Sequence, residues 1–99
     1  MIRHLCLIKY KDPDAVDAGV QAEVERIYRN FTQLVPGMRR MEVGRDLGIL
    51  DGNYDLAICA EFDDEDSFRT YSVHPAHSDT LFPVLGQHLD NYTTAQFRL

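Results

Sequence analysis

Four segments of the chain have the alternation of apolar and polar positions that is typical of β-strands. The first predicted strand is Ile2–Tyr10, and its two faces are both largely apolar. One face carries His4 among apolar side chains, and the other carries Leu5 and Leu7. Three further segments have strand character, residues Met38–Arg45, 54–62 and about 91–98.

Apolar residues recur every three or four positions between the first two strands, which predicts an amphipathic helix over residues 15–35. Pro36 and Gly37 end it, since neither residue continues a helix well. The acidic residues 63–66 suit the start of a second, shorter helix that closes at 73–75. A further helical stretch over 81–89 is interrupted by a proline and a glycine.

The predicted order is strand, helix, strand, strand, helix, strand, the β-α-β-β-α-β pattern of a ferredoxin-like α+β sandwich. The loop at residues 46–53 contains turn residues and makes the second and third strands a hairpin. We therefore expect a four-stranded antiparallel sheet with its helices on one face. At 99 residues, the chain is expected to form a single domain over 1–99.

The face of this sheet opposite the helices is also expected to be apolar. Because leaving such a surface in water costs roughly 25 cal/mol per Å², we predict a homodimer joined sheet against sheet. The alternative is a face that stays wetted, as antiparallel sheets allow. The residues assigned to this face are Leu5, Leu7, Met41, Val43, Ala57 and Cys59.

Charge and composition exclude several classes of partner. A formal net charge of -6 and scattered lysines and arginines argue against nucleic acid. No apolar run approaches the roughly 20 residues of a membrane span, and the N-terminus lacks a signal-peptide pattern, so we expect a soluble, cytoplasmic protein. Cys6 and Cys59 fall on opposite sheet faces, which disfavours a disulfide between them.

The residues best suited to chemistry lie in the run from Tyr71 to His77, which joins a phenol and two imidazoles around Pro75. His4 lies on the helix-facing side of the first strand and can meet Tyr71 and His77 in one pocket. A buried, neutral His77 would accept a proton, and Tyr71 would hold a carbonyl oxygen. The remaining residues of this predicted substrate pocket are Leu56, Ile58, Ile27, Phe31 and His74.

Two other interpretations of the same histidines stay open. His74 and His77 can simply cap the helix end, with His4 a hydrogen-bonded core residue. A metal could use them together with Asp79, His88 or His4, but no zinc spacing supports this, and no glycine-rich phosphate loop is present. We therefore predict neither a metal nor an organic cofactor.

Several short stretches together resemble the stress-responsive A/B barrel (Dabb) domain, and the resemblance spans almost the whole chain. The most specific is Tyr71 followed by His74-Pro75-Ala76-His77. The family implies a ferredoxin-like subunit that dimerises into an α+β barrel. The other stretches are Ile2-Arg3-His4, Val35-Pro36-Gly37, Glu42-Val43-Gly44 and Tyr54-Asp55-Leu56-Ala57.

The resemblance also implies candidate roles. One plant member of the family closes a polyketide ring without metal or organic cofactor, and its catalytic tyrosine and histidine match Tyr71 and His77. Its first-strand histidine matches His4, whereas Leu56 stands where that enzyme has another pocket histidine. The implied function is a cofactor-independent cyclase or lyase acting on a small carbonyl compound. The alternatives are a non-catalytic stress-associated ligand-binding or structural dimer, and a monooxygenase without heme or flavin, as in the wider barrel group.

Overall fold

A computed structural model covers residues 1–99 and has the predicted order of elements. The four strands form one antiparallel sheet in the order β2-β3-β1-β4, with the helices on one face. The predicted ferredoxin-like α+β fold class is thereby confirmed. The elements are β1 (Ile2–Tyr10), α1 (Ala18–Leu34), β2 (Met38–Arg45), β3 (Leu56–Phe62), α2 (Glu65–Ser72), α3 (Phe82–Leu85) and β4 (Leu89–Arg98).

Aspartate side chains decide where the two longer helices begin. The Asp17 carboxylate accepts a hydrogen bond from the Val20 amide (2.8 Å), so α1 begins at Ala18, three residues later than predicted. Asp64 caps α2 in the same way by accepting from the Ser67 amide (2.8 Å). Each cap satisfies an amide that the helix itself leaves without a partner.

The core lies between the helices and one face of the sheet. Phe31 of α1 and Phe62 of β3 are fully buried there, and the alternate residues of β1 that begin with Ile2 point into the same layer. The helices leave part of the sheet uncovered, because α1 packs on β2 while α2 packs on β1 and β3. The residues of β4 are exposed apart from its half-buried first one.

The face opposite the helices is open, and β2 contributes to it differently from the prediction. The strand register shifts between Met38 and Arg40, after which Met41 pairs with Ala60. This irregularity turns Met41 and Val43 toward the helices, where both pack against the core. The expectation that these two residues lie on the open face is therefore wrong, whereas Leu5 and Leu7 remain exposed.

The chain between α2 and β4 is a series of short turns. A π-helical turn covers His77–Leu81, and a 3₁₀ turn at Gly86–His88 follows α3. The proline and glycine seen in the sequence thus fragment this segment as expected. No helix in the chain combines the length and the apolar character that crossing a bilayer requires.

Candidate functional site

A cavity of 370 Å³ lies on the helical side of the sheet, where β4 has no helix over it. Its volume is near the small end of the range for ligand pockets, about 300 to 1,000 Å³. Its walls come from β1, α1, α2, α3, the turn between α2 and α3, and β4. The lining residues are His4, Cys6, Ile8, Tyr28, Phe68, Tyr71, Ser72, His77, Leu81, Phe82, Leu85, Leu89, Tyr92, Thr94 and Gln96.

His4 is the one buried polar residue of the chain, and β1 points it into this cavity. The Gln96 side-chain amide donates from Nε2 to His4 Nδ1 (3.0 Å), so the proton of the neutral imidazole lies on Nε2. Burial, reinforced by the charge of His77, lowers the pKa of His4 to about 4. His4 is therefore a neutral N–H donor near pH 7.

Tyr71 occupies the last turn of α2 and is buried beside both histidines. Its ring centroid lies 5.7 Å from that of His4 and 4.7 Å from that of His77. Burial raises the pKa of the Tyr71 phenol, which keeps its proton at neutral pH. The hydroxyl has no hydrogen-bond partner in the protein and is not sealed from solvent, so it is free to donate to a ligand.

His77 begins the π-helical turn, and its ring packs against Phe31 with centroids 4.6 Å apart. Its Nδ1 lies 3.3 Å from the carbonyl oxygen of His74. Because a carbonyl only accepts, Nδ1 carries the proton of the neutral ring and Nε2 keeps its lone pair. Burial is the main cause that lowers the pKa of His77, and it favours this neutral, basic form.

The structure brings His4, Tyr71 and His77 together in one cavity, but the other predicted pocket residues lie elsewhere. Leu56 and Ile58 of β3 and Ile27 and Phe31 of α1 are buried core residues that do not line it.

His74 likewise lies outside the lining. Its Nδ1 accepts a hydrogen bond from the Ala76 amide (3.0 Å) and so caps the turn before His77. The bond lies in the turn that follows α2 and does not cap the end of that helix, the alternative that the sequence left open for His74.

Sequence reasoning missed the contribution of β4. Tyr92, Thr94 and Gln96 line the cavity because they pair with Ile8, Cys6 and His4 of β1 and therefore share their face. Successive side chains of β4 alternate between the two faces of the sheet, and β4 lies beside β1 in this fold. These two facts together could have identified the three residues from the sequence.

The residues considered as metal ligands do not form a metal site. No group of three or more His, Cys, Asp or Glu residues is arranged to hold a metal ion. Asp79 and His88, the additional ligands considered for a metal, are absent from the cavity lining.

Four of the polar residues that line the cavity follow one another in space. Gln96 bonds His4, and the rings of His4, Tyr71 and His77 follow in contact. This line of residues offers two donors, the His4 imidazole and the Tyr71 phenol, next to one base, Nε2 of His77. Such a set can bind a carbonyl oxygen while it removes a proton from the neighbouring carbon.

Known proteins resemble this chain over most of its length. An uncharacterized protein of Streptomyces coelicolor is 34% identical over 82 residues, which cover 78% of this chain and 79% of that protein. Olivetolic acid cyclase of Cannabis sativa is 24% identical over 78 residues, 77% of this chain and 75% of the cyclase.

A similar solved structure is that of a dimeric ferredoxin-like protein of unknown function from Thermobifida fusca. It is 32% identical, with a TM-score of 0.82 over 99% of this chain and 90% of that one. The family model of the stress responsive A/B barrel domain matches residues 2–95. The chain therefore belongs to the stress responsive A/B barrel domain family.

Proposed function

We propose that this protein is a cofactor-independent enzyme of the cyclase or lyase type that acts on a small carbonyl compound. The observation that carries the proposal is the line of His4, Tyr71 and His77 in the cavity, with the Nδ1 of His77 held by a backbone carbonyl. The similarity to a cyclase supports the reaction class. The apolar remainder of the lining suits an organic substrate.

The reaction begins with proton transfer from carbon to nitrogen. His77 Nε2 takes a proton from the carbon next to the carbonyl, and the electron pair of the broken C–H bond moves onto the carbonyl oxygen. The Tyr71 phenol and the His4 N–H stabilise the oxygen by hydrogen bonds. In a cyclase the resulting enolate attacks a second carbonyl of the same molecule. The protonated His77 then gives its proton to the new alkoxide oxygen.

A lyase runs this sequence in reverse: His77 takes the proton of a hydroxyl group, that oxygen forms a new carbonyl group, and the adjacent carbon–carbon bond breaks. The electron pair of the broken bond moves onto the carbonyl oxygen held by Tyr71 and His4, and His77 returns the proton to the α carbon.

Exchange of the methyl protons of acetophenone in D₂O tests the proton transfer without knowledge of the natural substrate. We expect the protein to accelerate exchange, and His77→Ala to reduce the acceleration by about 10²-fold or more, the contribution typical of a general base. His88→Ala is the matched control, since His88 is a histidine outside the cavity. Equal exchange rates for the wild-type and His77→Ala proteins would contradict the proposal.

The second part of the proposal is that the protein works as a homodimer joined through the open sheet face, which completes an α+β barrel. Leu5 and Leu7 are 38% and 41% exposed on that face in the single chain, and Ala57 and Cys59 lie beside them on β3. The dimeric relative from Thermobifida fusca supports the assembly.

A non-catalytic ligand-binding dimer is the second candidate. The hydrogen bond between Gln96 and His4 favours this second candidate, because it engages Nδ1 of one of the three proposed catalytic side chains within the protein itself. Such a protein would bind acetophenone without accelerating its proton exchange. The absence of a cofactor and the cytoplasmic location remain predictions.

A further inference from the structure

The lining of the cavity includes no side chain that is normally charged at neutral pH. Aspartate, glutamate, lysine and arginine make up 26% of the chain, yet none is among the residues that line the cavity. Its polar atoms belong to imidazole, phenol, hydroxyl and amide groups. A lining with the average composition of this chain would include several charged residues, so the lining is less charged than the rest of the molecule.

Five arginines lie within two residues of a cavity residue along the chain, and all are in ion pairs. Two of them, Arg26 and Arg29 of α1, pair with Glu23 (2.6 Å) and Glu25 (3.7 Å). Arg98, two residues beyond Gln96 on β4, donates to the Glu65 carboxylate (2.5 Å), and Arg69 of α2 lies 3.6 Å from the same residue. Arg3, next to His4, points to the open face and pairs with Glu61. These contacts hold the guanidinium groups away from a cavity ligand.

The end of α2 that borders the cavity does not supply a positive potential either. Tyr71 and Ser72 belong to the C-terminal turn of α2, so the carbonyl end of this helix borders the cavity. A helix C-terminus carries partial negative charge and disfavours an anion nearby. Both cavity imidazoles are also neutral near pH 7, because burial lowers the pKa of His4 and of His77.

We propose that this cavity selects uncharged carbonyl compounds with a ring or short alkyl body, and that it excludes carboxylates and other anions of the same shape. The inference rests on the proposed function for the position of the carbonyl, and it adds the charge class of the substrate. An anion in the cavity would lose its water shell without gaining a cationic partner. A ketone or aldehyde oxygen needs only the donors that Tyr71 and His4 provide.

Acetophenone and benzoate test this selectivity, since they have the same number of non-hydrogen atoms and nearly the same shape. Both are titrated into the ¹⁵N-labelled protein at pH 7, and the shifts of cavity residues are followed by NMR. We expect acetophenone to bind at least tenfold more tightly than benzoate. Equal or tighter binding of benzoate would overturn the inference, and so would a failure of acetophenone to bind in the cavity.

A single added cation provides a second test. Tyr92 is 62% exposed at the cavity rim, so Tyr92→Lys places an ammonium group there at little risk to folding. We expect this variant to bind benzoate at least fivefold more tightly than Tyr92→Met, its uncharged control of similar length. No difference between the two variants would overturn the role assigned to charge.

These tests can fail separately from the proposed function. If acetophenone binds selectively but its proton exchange does not depend on His77, the enzymatic proposal is wrong and the charge selectivity stands. If exchange depends on His77 but benzoate binds equally well, the selectivity is wrong and the enzymatic proposal stands.

Discussion

Strand β1 contributes side chains to both faces of the sheet, and the two sets have different surroundings. Its helix-facing side chains include buried His4 and lead to the cavity, whereas Leu5 and Leu7 on the other face lie half open to solvent. Both faces carry apolar side chains, so hydrophobicity alone does not distinguish them. The polar groups of the covered face line the cavity, whereas those of the open face form ion pairs such as that between Arg3 and Glu61.

This difference indicates that the two faces have different functions, ligand binding on the covered face and assembly on the open face. Hydrogen bonds and ring contacts fix the groups of the covered face before a ligand arrives, as a catalytic or binding site requires. The open face combines the exposed side chains of Leu5 and Leu7 with ion pairs such as Arg3–Glu61, a mixture of apolar and charged groups that is typical of a surface that meets a second copy. The predictions below separate the two roles.

Removal of the Phe31 side chain should have the largest effect. Phe31 is fully buried and supports the rings of both Tyr71 and His77, so Phe31→Ala should lower the free energy of unfolding by about 3 to 5 kcal/mol. Urea denaturation measures this loss. Phe82→Ala is the control, since Phe82 is 58% exposed. Similar losses for both variants would show that the covered face is not a packed core.

A charge on the open face should disrupt assembly rather than folding. The proposed dimer would bury two copies of Leu7, and losing both side chains costs about 3 kcal/mol, so Leu7→Glu should raise the dissociation constant about 100-fold or more. Leu34→Glu is the control, because Leu34 on α1 and Leu7 are both 41% exposed. Analytical ultracentrifugation reads the assembly state against a subunit mass of 11.4 kDa. A Leu7→Glu protein that stays dimeric would place the interface elsewhere.

Acid should destabilise the covered face through His4. The pKa of His4 is about 4 in the folded protein and about 6.5 when unfolded, so protons bind preferentially to the unfolded chain. This contribution to stability is complete above about pH 6.5 and is lost as pH falls toward 4. The two pKa values set its upper limit at about 3 kcal/mol, and solvent in the open cavity reduces it to about 2 kcal/mol. Below about pH 4 the folded protein also takes up the proton, and the loss stops.

Unfolding free energies of the wild-type and His4→Gln proteins between pH 7 and 4 measure this effect by their difference. His88→Gln serves as the control, because His88 lies outside the buried cluster. The same pH dependence in the wild-type and His4→Gln proteins would show that His4 is not held neutral by burial.

The smallest expected effect concerns Gln96, which we regard as a positioning residue. Gln96→Leu removes the donor to His4 Nδ1 and should cost about 1 kcal/mol of stability, typical of one hydrogen bond. It should also move the His4 ring toward a mixture of its two neutral tautomers, which imidazole ¹⁵N shifts detect. Gln87→Leu, at an exposed glutamine, is the control. Unchanged ¹⁵N shifts in Gln96→Leu would mean that Gln96 does not set the tautomer.

Much of the fold was predictable because periodicity and turn residues act locally. The period of two in β1 and the period of three to four in α1 each reflect the face that a residue must bury. The face of Met41 and Val43 could not be predicted in the same way, since it depends on an irregularity near Met38 that leaves no clear mark in the sequence.

The candidate site was predictable only in part. His4, Tyr71 and His77 stood out by residue type, and the fold brings them together. The prediction that residues of α1 and β3 line the pocket assumed a cavity between the helices and the sheet. In the structure the side chains of α1 and β3 pack tightly against one another. The cavity lies instead beside β4, because the helices do not extend over this edge of the sheet.

A crystal of the protein soaked with 4-bromoacetophenone tests the central claim most directly, because the anomalous signal of bromine locates the ligand without bias. We expect a bromine peak in the cavity, with the ketone oxygen within hydrogen-bonding distance of Tyr71 Oη and the methyl carbon facing His77 Nε2. A peak on the open sheet face with an empty cavity, or a ketone oxygen pointing away from Tyr71 and His4, would contradict it.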